Sequence, residues 1–193
     1  MNAAARTALA VTVILGARLT MSSADAAAVV IGRGLAHSCY VSAQFGDNAR
    51  EGVDICTRAL EQEPLTKRDR ASTLVNRGVL HANGGHEFDA LADYDHAIAI
   101  DATLAQAYVD RSAALIALKR YDEALKSASD GLILGPAQPE LAYFNRAVAE
   151  EALNNINGAY QDFKQAVALS PQFTAASDQL KRFRVVPTQG AGT

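Results

Sequence analysis

Small and apolar residues recur along the middle of the chain at an almost constant distance. Ala90, Ala124 and Ala159 are separated by 34 and 35 residues, and Pro136 and Pro171 are again 35 residues apart. Each of these alanines lies in a segment whose apolar side chains return every three or four residues, the period of one face of an α-helix. The pattern predicts three copies of a helical unit.

A further helix precedes each of these helices. The segments "ASTLVNRGVLHA", "AQAYVDRSAALIAL" and "ELAYFNRAVAEEAL" begin the copies, and the turn-forming stretches "NGGHE", "KRYDE" and "NNING" separate the two helices of each copy. Gly78, Ser112 and Ala147 occupy the same position of the first helix. A small side chain there allows two helix axes to approach to about 8 Å. The predicted unit is a helix, a turn and a second helix packed on the first.

A 34-residue period with this arrangement of columns resembles the tetratricopeptide repeat family. The resemblance depends first on a large residue near the start of each copy, which is Leu74, Tyr108 or Tyr143, and on the small residue four positions later. It also depends on the alanine of the second helix, on an aromatic residue in two copies (Tyr94 and Phe163) and on the closing proline. Ala102, Ala128 and Glu150 depart from the family pattern. The resemblance implies an all-α solenoid of helical hairpins, with repeats at 71–104, 105–138 and 140–173.

The chain on either side of these repeats is expected to complete the stack. A degenerate hairpin is expected at 33–66, because "GDNAREGVDICTRALEQEP" mirrors the second-helix pattern. In this alignment Cys39 and Cys56 face each other near the middle of two antiparallel helices, which allows a disulfide; two free buried thiols are the alternative. At the other end, 174–185 is expected to form a capping helix and 186–193 a flexible tail.

The first residues have the outline of a secretory signal peptide. The apolar run "TALAVTVILG" follows Arg6, and we expect a signal peptide at 1–26 with cleavage after Ala26. The run is too short to span a membrane, which needs ~20 apolar residues, so the mature chain is expected to have no integral membrane segment. The expected location is the periplasm or another exported compartment. The alternative is an alanine-rich N-terminal helix of a cytosolic protein.

Composition narrows the fold and the partners. Of the 193 residues 49% are hydrophobic and 6% aromatic, and Trp does not occur, which together with the abundance of alanine favours packed helices over a sheet. The formal net charge of −3 gives no electrostatic reason to bind nucleic acid, whose phosphates attract a basic face. We expect no nucleic acid partner.

The sequence contains no pattern typical of a catalytic or cofactor site. No glycine-rich loop follows a strand and no serine lies in a nucleophile elbow. His37, Cys39 and Cys56 could supply three zinc ligands, but no fourth ligand is evident nearby. We therefore expect no enzyme activity, cofactor, metal or small-molecule substrate.

Arginine recurs at one position of the first helix. Asp93 follows Arg77 at the same distance along the chain at which Asp162 follows Arg146. This spacing places each pair across the two helices of one hairpin, and we predict structural ion pairs there.

The middle arginine, Arg111, has a different residue at the corresponding place. Ser127 stands there instead of an aspartate, so Arg111 lacks the partner of the other two arginines. We predict that Arg111 is available to a ligand. The alternative is pairing with another carboxylate, such as Asp110 or Asp130.

The resemblance also implies where a partner would bind, since the first helices of such arrays line a concave groove. The expected partner-binding residues are the family's groove positions, with Arg111 added: Val75, Asn76, Val79, Asn83, Gln106, Val109, Asp110, Arg111, Ile116, Phe144, Asn145 and Val148. Some family members clamp a C-terminal carboxylate with several basic residues in this groove. Here the corresponding positions hold Ser72, Val75, Gln106, Val109, Leu141 and Phe144, which disfavours such a clamp.

An apolar lining with amide side chains suits a peptide or helix of a partner protein. The predicted function is a noncatalytic interaction scaffold of the cell envelope. One alternative is a structural or accessory subunit that uses its convex face or its ends. Another is a groove filled by the protein's own N-terminal segment or tail.

Overall fold

The computed structural model describes residues 34–46 and 48–183. Within these ranges the secondary structure consists of helices joined by short loops. The helices are α1 (Leu35–Phe45), α2 (Ala49–Gln62), α3 (Lys67–Asn83), α4 (Glu87–Ile100), α5 (Ala105–Ala117), α6 (Tyr121–Leu134), α7 (Pro139–Ala152), α8 (Ile156–Leu169) and α9 (Thr174–Leu180). Successive pairs, from α1/α2 to α7/α8, form four hairpins that stack in chain order, and α9 packs against α8. The predicted all-α solenoid of helical hairpins is confirmed.

The ends of the chain are described in part. The predicted signal peptide at 1–26 and tail at 186–193 lie outside the described residues. The region expected to form a degenerate hairpin, 33–66, contains α1 and α2, and the first seven residues of the expected capping helix, 174–185, form α9. None of the described helices is long and apolar enough to cross a membrane.

Several helices begin at residues that are typical of helix N-termini. Thr66 accepts a hydrogen bond from the backbone N–H of Asp69, and Asn48 and Asn155 cap α2 and α8 in the same way. Such a side chain satisfies a backbone donor that has no partner within the helix. Pro139 occupies the first position of α7, where its missing N–H costs nothing.

The turn inside a hairpin has the same geometry in three hairpins. Gly85, Lys119 and Asn154 have φ values of 76°, 60° and 64°, in the left-handed region. In each turn the next residue donates its backbone N–H to a carbonyl five positions earlier, as Arg120 does to Leu115 at 2.8 Å. This 6→1 bond closes the first helix and reverses the chain. The repeat is therefore present in the backbone as well as in the side chains.

The small residues of the first helices lie at helix contacts, as predicted. Ser112 and Ala147 are fully buried. A Cβ atom on Gly78 would lie 2.5 Å from Cε1 of Tyr94, a buried ring on the second helix of the same hairpin. The sizes of the two residues are therefore linked, because only glycine leaves room for the tyrosine ring.

The two ends of the stack have additional internal contacts. At the N-terminal end, Cys39 of α1 and Cys56 of α2 form the predicted disulfide, and both are fully buried. The carboxylate of Glu63 accepts hydrogen bonds from the backbone N–H groups of Leu35 and Ala36, at 2.6 and 2.9 Å, and so caps α1.

At the C-terminal end an aromatic cluster closes the core. The ring of Phe144 lies 5.5 Å from that of Phe163 and 5.1 Å from that of Phe173, between ring centroids, and Phe183 lies 5.8 Å from Phe163. These separations are those of favourable aromatic pairs. The cluster covers the apolar face of the last hairpin, which has no further hairpin to pack against among the described residues.

The Gly78→Ala substitution tests the helix crossing. Alanine favours a helix over glycine by up to ~1 kcal/mol, whereas overpacking a core costs about 1–3 kcal/mol. Since the tyrosine ring is rigid and enclosed, we expect Gly78→Ala to lower the free energy of unfolding by roughly 1–2 kcal/mol in urea titrations. The loss should disappear in a Tyr94→Leu background; an equal loss in both backgrounds would exclude the ring contact as its cause.

Reducing the disulfide should destabilise the first hairpin. The two cysteines are 17 residues apart, and closing a loop of about 15 residues stabilises a chain by about 3 kcal/mol. We expect the unfolding midpoint in urea to fall when a reductant is added, and the Cys39→Ala/Cys56→Ala variant to match the reduced protein. Thiol labelling of the denatured, unreduced protein should give no product; two reactive thiols would contradict the bridge.

Candidate functional site

The predicted groove residues divide into a buried group and an accessible group. Seven of them are at most 7% exposed: Val75, Asn76, Val79, Val109, Asp110, Phe144 and Asn145. Val75 and Val79 belong to the main hydrophobic core, and Phe144 belongs to the aromatic cluster. These side chains contact neighbouring helices, so they form the wall behind the groove and have little surface to offer a partner.

The accessible group is smaller. Asn83 is exposed at the end of α3, and Gln106, Ile116 and Val148 are partly exposed on α5 and α7. Ile116 also packs against a buried cluster centred on Leu115.

A concavity of about 320 Å³ lies between α3, α5 and the loop that joins α6 to α7, and we call it the groove pocket. Its lining is mostly apolar or backbone, with a few side chains that can make hydrogen bonds: Arg68, Ser72, Thr103, Leu104, Ala105, Gln106, Leu134, Gly135, Pro136 and Ala137. Within this described lining, Arg68 alone is charged. The pocket has the size and the mixed chemistry of a site for one side chain and a short stretch of backbone.

Sequence reasoning missed most of this pocket. Arg68 lies in the first turn of α3, which begins at Lys67, ahead of the expected start of the repeat at 71. The signal for the longer helix was present, because Thr66 followed three residues later by Asp69 is a helix-start pattern. Leu134 and Pro136 come from the end of α6 and the loop between hairpins, whose position a repeat alignment does not give.

Behind the groove, polar side chains link successive hairpins. The Nδ2 of Asn145 on α7 donates to the carbonyl oxygen of Val109 and to the hydroxyl of Ser112, at 3.2 and 2.9 Å, both on α5. These bonds cross between two first helices. Since both helices are buried here, the bonds fix the relative position of the third and fourth hairpins.

Asp110 is the polar residue of this layer with the least favourable surroundings. Its Oδ1 accepts a hydrogen bond from the Nε2 of Gln106 at 2.9 Å, while its Oδ2 is buried without a hydrogen-bond partner. Burial raises the pKa of Asp110 well above its ordinary value, and the bond from Gln106 opposes that shift only in part. The folded state therefore favours the protonated form of this carboxyl more than the unfolded chain does.

Two of the three arginines form the ion pairs that the spacing predicted. Arg77 holds Asp93 through Nε and Nη2 at 2.8 and 2.7 Å, and Arg146 holds Asp162 through the same atoms at 2.6 and 2.9 Å. All four side chains are at most about a quarter exposed. Each pair joins the two helices of one hairpin in a bidentate arrangement.

Arg111 pairs with another carboxylate, as the alternative expected, but the carboxylate belongs to a different residue. Its Nε lies 2.6 Å from Oδ1 of Asp95, on the second helix of the preceding hairpin, so its partner is neither Asp110 nor Asp130. Its two terminal nitrogens make no hydrogen bond with the described residues, and the availability of Arg111 to a ligand stays a prediction. Because α6 offers Ser127 instead of an aspartate, the guanidinium group turns to α4. Arg111 borders a cavity with residues of α4 and α6, the second helices, and is not among the residues that line the groove pocket.

The described residues contain no group of three or more His, Cys, Asp or Glu side chains arranged to hold a metal ion. Of the candidate zinc ligands, Cys39 and Cys56 are joined in the disulfide.

Asp110→Asn should stabilise the protein at neutral and alkaline pH. Because burial raises the folded pKa of Asp110 above that of the unfolded chain, the folded state binds this proton more tightly, and stability falls as pH rises through the folded pKa. An asparagine side chain does not ionise, so it does not lose stability in this way. We expect a higher Tm than the wild type at about pH 8 and a nearly equal Tm at about pH 3.5, below the unfolded pKa. A stabilisation independent of pH would contradict the assignment to the carboxyl group.

Comparison with known proteins agrees with the repeat pattern. The family model described as "Tetratricopeptide repeat" matches residues 141–173. The human protein named Tetratricopeptide repeat protein 28 is 27% identical over 121 residues, which are 63% of this chain and 5% of the length of that protein. This chain thus corresponds to a small part of that relative.

Solved structures share the fold. The Arabidopsis OM64 TPR domain is 25% identical with a TM-score of 0.59, covering 62% of this chain and 98% of that one. The second TPR domain of human RPAP3, in complex with the HSP70 peptide SGPTIEEVD, is 26% identical with a TM-score of 0.56 and coverages of 61% and 97%. MamA, at 15% identity, a TM-score of 0.62 and coverages of 78% and 82%, shares the fold alone. The family match at residues 141–173 and the structural neighbours show that this chain is similar to tetratricopeptide repeat proteins in one repeat and in its fold.

Proposed function

We propose that the chain is an exported, noncatalytic adaptor that holds a segment of a partner protein on the concave side of its hairpin stack. The observation that carries this proposal is the groove pocket, which combines apolar loop residues, exposed backbone and the side chains of Arg68 and Gln106. The second TPR domain of RPAP3, which is similar over 61% of this chain, is described with a bound HSP70 peptide. That similarity supports peptide binding on this scaffold.

The chemistry of the groove pocket indicates the kind of segment that it holds. Leu134 and Pro136 offer an apolar surface for one small or aliphatic side chain. Gln106 donates its Nε2 hydrogen bond to Asp110, so its carbonyl oxygen is oriented to accept an N–H of the partner's backbone. Arg68 supplies one positive charge at the rim. A single cation favours a segment with one acidic side chain over a highly acidic C-terminus.

The disulfide supports the exported location. Disulfide bonds persist in oxidising compartments and are rare in the cytosol. Cys39 and Cys56 are bridged within the described residues, as expected for a protein that folds after export. We therefore retain the signal peptide at 1–26 and the periplasm, or an equivalent compartment of the cell envelope, as part of the proposal.

A variant that fills the groove pocket tests the proposal. Ala137 lines this pocket and is exposed, so Ala137→Trp places a bulky ring in it without changing the core. In pull-downs from envelope extract with the full chain as bait, we expect the variant to retain less than about a tenth of the captured partner, a loss of about 1.4 kcal/mol or more. Arg68→Glu should weaken capture in the same direction.

The matched control is Ala168→Trp, an exposed alanine on the outer helix α8. It should capture the partner as the wild type does. Equal capture by Ala137→Trp and the wild type would exclude the groove pocket and favour an accessory subunit that assembles through its convex face or ends.

A further inference from the structure

The three equivalent arginines differ in how completely their hydrogen bonds are satisfied. Arg77 donates three hydrogen bonds, two to Asp93 and one to Thr57, and Arg146 donates two to Asp162. Arg111 donates one, from Nε to Asp95, whose side chain is 50% exposed. The two terminal nitrogens of Arg111 therefore have no acceptor among the described residues.

The difference originates on α6. Where the second and fourth hairpins have Asp93 and Asp162, the third hairpin has Ser127, whose hydroxyl donates to the carbonyl oxygen of Tyr108 at 3.0 Å and does not reach the guanidinium group. The shorter side chain leaves a cavity of about 270 Å³ between α4, α5 and α6, which we call the outer pocket. Ile98, Tyr108, Arg111 and Ser127 are among its lining residues.

The acidic residues around the outer pocket are already paired. Glu123 accepts two hydrogen bonds from Arg120, both at 2.6 Å, and Asp130 lies 2.6 Å from Nζ of Lys126. Asp95 is held by Nε of Arg111. Each acidic side chain is thus matched to a cation. The charge-assisted donors left over among the described residues of the pocket are the terminal nitrogens of Arg111 and the remaining N–H groups of Lys126, whose side chain is 78% exposed to water.

We propose that the outer pocket binds one carboxylate group through the two terminal nitrogens of Arg111, beside Ser127, where the neighbouring hairpins have Asp93 and Asp162. Those two aspartates show within the same molecule that an arginine at this position can hold a carboxylate in a bidentate arrangement, there through Nε and Nη2. In Arg111 Nε is bonded to Asp95, so the ligand would be held by Nη1 and Nη2. Ile98 and Tyr108 provide apolar surface for the short carbon chain that carries the carboxylate. The site is separate from the groove pocket, and its occupation does not depend on the groove.

The surroundings restrict the ligand to a single negative charge. Asp95, Glu123 and Asp130 all line the outer pocket, so a second carboxylate or a phosphate would lie close to like charges. The carboxylate can belong to a free small acid or to an aspartate or glutamate side chain of a protein, and these two sources offer the same group to Arg111.

Nuclear magnetic resonance of the arginine Nε–H groups in the full chain tests this site directly. The probes are acetate, the capped peptide acetyl-Gly-Glu-Gly-amide and its glutamine counterpart. We expect the Arg111 signal to move in a saturable way with acetate and with the glutamate peptide, and not with the glutamine peptide. Tighter binding of the glutamate peptide than of acetate would identify a protein side chain as the ligand, and equal binding would identify a free small acid; both outcomes support the carboxylate site.

The variant Ser127→Asp is the sharpest control, because it supplies the missing carboxylate from the chain itself. It should weaken binding of the glutamate peptide at least tenfold, whereas Ser129→Asp, which adds the same charge to α6 outside the lining of the outer pocket, should bind as the wild type does. A shift that does not saturate, or equal affinity in these two variants, would overturn the proposal.

A second variant keeps the test valid if Ser127→Asp fails to fold. Arg111→Lys retains the positive charge and loses the planar pair of donors. Followed through the methyl signals of Ile98, it should bind the glutamate peptide at least tenfold more weakly. Unchanged affinity would show that the arginine does not hold the ligand.

Discussion

The close crossing of the two helices in each hairpin is the constraint on which the rest of the structure depends. It requires a small residue on the first helix, and the ring of Tyr94 against Gly78 shows how little space remains. A wider crossing would separate the alanines that fill the hairpin cores, among them Ala90, Ala124 and Ala159, all fully buried. Since each hairpin packs on the next, a change in one crossing would be transmitted to the curvature of the stack and to the groove.

Polar side chains fix the register between packed helices, which the apolar contacts alone leave adjustable. Alanine-rich surfaces pack closely but can slide, because many registers bury similar areas. The bidentate pair of Arg146 with Asp162 and the bonds from Asn145 to Val109 and Ser112 are directional, so they select one register within a hairpin and one between hairpins. The groove pocket is built from three separate segments, and its shape requires that these registers are fixed.

The sequence predicted the features that depend on spacing within one hairpin, such as the pairing of Arg77 with Asp93 and the bridge of the two cysteines, because a fixed separation brings two positions opposite each other on antiparallel helices. It did not predict features that depend on the distance between hairpins. Arg111 pairs backward with the preceding hairpin, and neighbouring side chains cover Val75 and Phe144. Family positions specify the side of a helix, but exposure depends on how closely the next first helix approaches. A repeat pattern therefore identifies the wall of the groove better than the surface that a partner touches.

The additional stabilising contacts at the two ends of the described stack follow from its one-dimensional architecture. A terminal hairpin packs against only one neighbour and needs other sources of stability, which the disulfide supplies at one end and the aromatic cluster around Phe163 at the other. The third hairpin has a neighbour on both sides and can tolerate cavities. Both proposed pockets border its first helix, with Gln106 in the groove pocket and Arg111 in the outer pocket. The second helix of this hairpin has Ser127 and Ala128 where the neighbouring hairpins have an aspartate and an aromatic residue. Both proposed sites therefore lie inside the described stack, where the third hairpin is held by contacts on two sides.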